Sequence, residues 1–238
     1  MEFIRYNGDL VVLTTIILIA GGAFSGITVG LFSLIGWQIE KFYIEFIAIW
    51  GLVSAPIVAT YIIKNHAMVT NKIAPIIANI FSPLVLLMLV IYLVSIPFSG
   101  KDPFNDREFL LVFNMLLLGV MAIIIFSVSE TSKSQKQSFN KVILFLMASA
   151  AMIINLVALS AIIYRLGEYG FTPNRMAVLG SNLVLFVHLA WITVKLFQVS
   201  FKSKDIDEVE NAVAKYLPVY AIWTAIVVFT FPLIFGVD

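Results

Sequence analysis

The chain contains no cysteine, little charge, and no acidic residue near the centre of any of its long apolar runs. Without cysteine it forms no disulfide, carries no thiolate and cannot ligate an iron–sulfur cluster through thiolates. The net charge is only +1. That balance lacks the basic footprint of nucleic-acid binding, so no nucleic-acid partner is expected. Ion-coupled carriers usually place a carboxylate inside the membrane, and its absence argues against a proton- or sodium-driven pump.

Sequence motifs of catalysis and of cofactor binding are missing as well. The two histidines, His66 and His188, belong to no H-E-x-x-H pattern. The sequence therefore predicts no metal site and no cofactor, and it contains no phosphate-binding glycine loop. A serine nucleophile would need one of these histidines as its base. No catalytic residue is predicted, and enzymatic activity has no support in the sequence.

What the chain does have is seven long apolar runs. Hydrophobic residues make up 61% of it and the mean hydropathy is +1.02, whereas an ordinary soluble domain is about 45–50% apolar. Each run is close to or above the ~20 residues with which a helix crosses the ~30 Å hydrocarbon layer. The sequence predicts an all-α integral membrane bundle in one transmembrane domain over residues 1–238. Its seven predicted spans are 10–37, 43–63, 74–98, 109–129, 142–164, 176–199 and 216–236.

Lysine and arginine are distributed unequally between the two ends of these spans. Ten lie on the side of the amino terminus: Arg5, Lys64, Lys72, Lys133, Lys136, Lys141, Lys195, Lys202, Lys204 and Lys215. Five lie on the other side: Lys41, Lys101, Arg107, Arg165 and Arg175. Because cytoplasmic connections are enriched in positive residues, this bias predicts a cytoplasmic amino terminus and an external carboxyl terminus.

The first span carries a glycine at every fourth position, namely Gly22, Gly26 and Gly30. Such spacing leaves a groove along one helix face and lets another backbone approach closely. Two interpretations stay open. The face packs tightly inside the bundle, or it forms a surface for a second copy of the chain, another membrane protein or a lipid chain.

Few polar side chains lie at membrane depth, and four of them are candidates for function: Asn114, Asn155, Asn182 and His188. The amides are the residue type that forms hydrogen bonds between membrane helices. His188 lies near the middle of the sixth span, where it acts either as a proton-carrying or ligand-binding group or as a neutral imidazole bonded to a neighbouring helix. In a permease, these four residues would line the path.

The connection between spans five and six holds a second group of candidates: Arg165, Glu168, Tyr169 and Arg175. Arg175 falls in the first turn of span six, where a cation is unfavourable because the helix dipole is positive there. Something should compensate this charge. One explanation is an ion pair with Glu168, or with Asp106 or Glu108 of the neighbouring connection. The other is an anionic ligand, such as the phosphate of a lipid headgroup, held together with the free amides of span six.

The same connection carries a family resemblance. The run Tyr169-Gly170-Phe171-Thr172-Pro173-Asn174-Arg175 resembles the Tyr-Gly-x-Thr-x-Asn-Arg loop of a bacterial multi-pass membrane family, catalogued as a domain of unknown function. The run from Lys215 to Trp223 is similar to that family's last span. The resemblance implies a bacterial inner-membrane location and a permease-like role without an assigned substrate. It also implies that the chain is a compact version, or the carboxyl-terminal portion, of a longer protein.

These observations favour a non-catalytic membrane subunit. We expect it to pack against lipid, against another membrane protein or against a second copy of itself, through the glycine face and the connection between spans five and six. The alternative is a small-molecule or lipid permease with a path near His188.

Overall fold

A chain in lipid must satisfy its backbone hydrogen bonds internally, and long apolar runs therefore become helices. The computed structural model describes residues 2–65, 73–100, 107–131, 138–202 and 204–236. Within these ranges every regular element is helical. Seven helical spans are long and apolar enough to cross a membrane. The predicted all-α bundle of seven spans is confirmed.

We label the spans α1 to α7 in chain order. They are α1 (Glu2–Leu34), α2 (Glu40–Tyr43, a π-helical turn Ile44–Ala48, then Ile49–Asn65), α3 (Ile73–Ser95, then a 3₁₀ turn Ile96–Phe98), α4 (Arg107–Thr131), α5 (Ser138–Tyr169), α6 (Pro173–Phe201) and α7 (Asp207–Ala225, a π-helical turn Ile226–Thr230, then Phe231–Phe235).

Helix α5 lies at the centre of the bundle and packs against α3, α4 and α6. Its small side chains allow this close approach, since Ala148, Ala151 and Ala158 are each 0% exposed. In lipid, where neighbouring helices gain no hydrophobic advantage, close packing of small residues is a main source of association. The contact between α5 and α6 is the most extensive in the bundle. The short connection between them therefore joins two helices that are packed firmly against each other.

Helices α1 and α2 form a peripheral pair joined by Leu13, Ile17, Ala55 and Ala59. Helix α7 packs against α6 and, less extensively, against α4. Many large apolar side chains on these peripheral helices are exposed, Trp50 at 70% among them. A water-soluble protein would bury such groups, whereas lipid solvates them, and the exposed surface therefore suits a bilayer.

The connection at 170–172 joins α5 to α6, and the starts of α4 and α6 lie at the same end of the bundle as the end of α5. We call this the outer end, following the predicted orientation. The orientation itself, with the amino terminus inside, stays a prediction.

Candidate functional site

The outer connection is fixed by a helix start and a helix stop that lie next to each other. Thr172 is the N-cap of α6, and its hydroxyl oxygen accepts a hydrogen bond from the backbone N–H of Arg175 at 3.3 Å. Pro173 takes the first helical position, where its missing N–H costs nothing. Helix α5 ends at Tyr169, and the next residue, Gly170, has a φ of +74°, which favours glycine. The connection is therefore short and turns sharply.

Arg175 reaches back across this turn to the end of α5. Its Nη1 donates to the backbone carbonyl oxygens of Tyr169 at 2.7 Å and Gly170 at 2.8 Å. The guanidinium also lies 5.5 Å from the centre of the Tyr169 ring. Carbonyl groups at a helix C-terminus carry about half a negative charge, so they compensate the cation that its own helix disfavours.

The sequence left open which group compensates the positive charge of Arg175 in the first turn of α6. Neither ion pair among the described residues includes it, and Glu168 is exposed. The compensating groups are thus backbone carbonyls, not the carboxylate of Glu168. The other proposed partners, the side chains of Asp106 and Glu108, lie outside the described residues.

A cavity of about 530 Å³ opens at the outer end between α4, α5 and α6. Its polar lining residues are Asn114, Arg165, Thr172, Asn174 and Arg175. The remaining lining side chains are leucine, isoleucine and valine. Two arginines therefore line one cavity whose described lining contains no carboxylate. Of the four candidates predicted in this connection, Arg165 and Arg175 line the cavity, whereas Glu168 and Tyr169 do not.

Below the cavity, the three predicted amides meet. The Asn182 side-chain nitrogen donates to Oδ1 of Asn114 at 2.7 Å and to the carbonyl of Val178 at 3.0 Å. Asn155 Nδ2 donates to the backbone carbonyl of Asn182 at 3.2 Å. These bonds tie α4, α5 and α6 together. Asn155 and Asn182 are both 0% exposed, and Asn114 links them to the cavity.

His188 lies six residues further along α6 and is enclosed by α7. Its Nδ1 shares a hydrogen bond of 2.9 Å with the hydroxyl of Tyr220. Its ring stacks on Tyr216, with centroids 4.4 Å apart and planes at 18°. The histidine is 0% exposed. In this arrangement it is bonded to a neighbouring helix, and it does not line the cavity at the outer end.

Sequence reasoning missed the α7 partners of α6. Trp223 Nε1 donates to the hydroxyl of Ser181 at 2.9 Å, and the Tyr216 hydroxyl donates to the carbonyl of Val184 at 3.0 Å. The signal was present, because Tyr216, Tyr220 and Trp223 recur at the spacing of one helix face. Near the inner end, Lys195 pairs with Glu208 at 2.8 Å. The seam between α6 and α7 is polar along much of its length.

The three residues of the glycine face of α1 do not all have the same surroundings: one packs inside the bundle and two are exposed. A Cβ on Gly30 would lie 3.6 Å from the Val112 side chain of α4, so Gly30 packs inside the bundle. Gly22 and Gly26 are exposed, and a Cβ on either would meet nothing within 4 Å. Internal packing therefore does not account for these two glycines, because no described helix of the chain covers them.

Comparisons of the chain with protein-family models, with curated proteins and with solved structures returned no match. The resemblance of the Tyr169–Arg175 connection to a bacterial membrane family stays an expectation.

Proposed function

We propose that the chain is a non-catalytic membrane subunit that packs against another membrane protein or against lipid. Support for this proposal comes from the polar interior. Asn155, Asn182 and His188 are each 0% exposed, and each is hydrogen-bonded to a neighbouring helix. Polar groups at membrane depth that bond to each other hold helices together. At least one polar atom of each of these side chains is therefore engaged in holding the helices together.

The uncovered part of α1 is the surface that we propose for the partner. Gly22 and Gly26 are one helical turn apart, both are exposed, and neither has a neighbour within 4 Å. A face without side chains lets a second helix or an acyl chain approach the backbone. Of the three glycines on this face, Gly30 is the one that packs inside the bundle, against Val112.

Purification in a mild detergent, followed by native mass spectrometry, tests the proposal. We expect the wild-type chain to elute with a stoichiometric membrane protein or lipid. Gly26→Leu fills the groove and should reduce that partner by about tenfold, since each ~1.4 kcal/mol of lost contact is a factor of ten. Gly51→Leu on α2 is the matched control, because Gly51 is likewise exposed and open. A wild-type monomer with nothing bound contradicts the proposal.

A permease is the second candidate, and one observation favours it. Among the buried polar atoms that have no hydrogen-bond partner within the described residues are Asn155 Oδ1, Asn182 Oδ1 and His188 Nε2. Unpaired polar atoms in one region of the interior are the kind of group that ordered water satisfies. A file of such waters would form part of a transport path.

Labelling of single cysteines separates the two candidates, because the wild-type chain has none. We expect Asn174→Cys, at an exposed cavity position, to react with a membrane-impermeant maleimide added from outside. His188→Cys should react at least about tenfold more slowly, because a thiol must ionise in water to react. Comparable rates at the two positions would show a water path to His188 and would favour the permease.

A further inference from the structure

Among the residues that the structure describes, the lining of the cavity at the outer end contains two arginines and no carboxylate. We infer that it binds a phosphate group, held by the guanidinium of Arg165 and supported by that of Arg175. This inference concerns the ligand of a cavity and does not depend on whether α1 binds a partner. The phosphate belongs either to a lipid headgroup or to a free anion, and both present the same oxygens to arginine.

Arg165 carries the argument. Its Nη1 is buried and has no hydrogen-bond partner among the described residues. A buried donor on a charged group is costly unless it is paired. Every other polar side chain of the described lining is neutral, apart from the second arginine. A ligand that completes this site must therefore bring acceptor atoms and negative charge, and guanidinium groups match phosphate oxygens in geometry.

Arg175 and the start of α6 add to the same potential. Both hydrogen bonds from Arg175 to the end of α5 use Nη1, so the guanidinium is held in place at the cavity wall before a ligand arrives. Helix α6 begins at Pro173, beside this wall, and its amino end carries about half a positive charge. Arginine and a helix amino end together form a favourable environment for phosphate.

The volume and the apolar walls of the cavity suit a phosphate from either source, a lipid headgroup or a free anion. About 530 Å³ falls within the ~300–1,000 Å³ of small-ligand pockets. Leu110, Leu111, Ile162 and Val178 form the apolar part of the lining. A lipid would place its headgroup at the arginines and its glycerol or acyl carbons on these side chains. A free phosphate would occupy only the polar part.

Binding to the full chain in maltoside detergent, which contains no phosphate, tests the inference. One arm adds phosphatidylglycerol and counts bound lipid by native mass spectrometry. The other adds inorganic phosphate and follows binding by titration calorimetry. We expect one molecule bound in at least one arm, and the arm that responds identifies the source. Arg165→Gln should weaken that binding by about 10- to 100-fold, the loss expected for one or two charge-assisted hydrogen bonds.

Arg5→Gln removes the same charge from an exposed position on α1 and should leave the affinity within about twofold, since exposed charges act only through screened electrostatics. Arg165→Lys keeps the charge without the planar fork and should fall between wild type and Arg165→Gln. It also serves if Arg165→Gln does not fold. Equal affinity in wild type, Arg165→Gln and Arg165→Lys would overturn the inference, as would the absence of binding in both arms.

Discussion

Phe113→Ala is expected to lower the free energy of unfolding by about 2–4 kcal/mol. Phe113 is 1% exposed. Its ring packs edge-to-face against Tyr92 of α3, with centroids 6.0 Å apart, and against Phe109 of α4 at 5.6 Å. Tyr92 in turn contacts Phe32 of α1 at 5.8 Å. The substitution would remove the ring that joins this aromatic cluster from α3 to α4.

The expected loss of about 2–4 kcal/mol takes into account that the protein lies in lipid and not in water. In water, truncation of a buried phenylalanine costs about 3–5 kcal/mol, from lost transfer energy and from the cavity that remains. In a bilayer the transfer term is small, because lipid is as apolar as the bundle interior. The contact and cavity terms remain, since lipid tails do not enter a closed site. Our estimate therefore lies toward the lower part of the range for soluble proteins.

Unfolding in mixed micelles, followed by circular dichroism, measures this effect. Phe229→Ala is the matched control, because Phe229 is 72% exposed on α7 and truncation there leaves no closed cavity. We expect it to change stability by less than about 0.5 kcal/mol, as surface substitutions usually do. Similar losses for the two variants would contradict the assigned burial of Phe113.

The number of spans could be predicted from hydropathy, whereas the ends of the helices could not. Helix α1 begins at Glu2, before the predicted span 10–37, and α7 begins at Asp207, before the predicted span 216–236. Hydropathy reports the part of a helix that lies in hydrocarbon. Backbone hydrogen bonding continues past that layer into the polar residues, so the helix is longer than its apolar run.

The candidate site was predictable in its residues and not in its pairings. The Thr172 cap and Pro173 are local features, and local sequence indicates them. The partner of Arg175 is a pair of carbonyl groups at the end of another helix, and every residue type carries such carbonyls. Likewise, Asn114, Asn155 and Asn182 stand out as amides in apolar runs. Only the packing of α4, α5 and α6 shows that they bond to one another.

The role of Gly180 could not be predicted from the sequence either, because it depends on a contact with another helix. Its position on α6 lies directly under the ring of Trp223 on α7, and a Cβ added there would overlap the ring atoms. The ring is held on both sides. Its Nε1 donates to Ser181 Oγ at 2.9 Å, and it packs edge-to-face on Phe231 with centroids 5.9 Å apart. A displaced ring would give up both contacts.

We therefore expect Gly180→Ala to destabilise the protein by about 1–3 kcal/mol, the usual cost of overpacking. Gly51→Ala is the matched control, since nothing lies within 4 Å of a Cβ at that position. Alanine there should stabilise the helix by up to about 1 kcal/mol. Unfolding in micelles gives both values, and a blue or red shift of tryptophan emission reports displacement of the Trp223 ring.

In a Trp223→Leu background the cost of Gly180→Ala should fall below about 1 kcal/mol, because two residues in contact are coupled. If the cost is unchanged in that background, the clash with Trp223 is not its cause, and the close packing of α6 on α7 at this point is wrong.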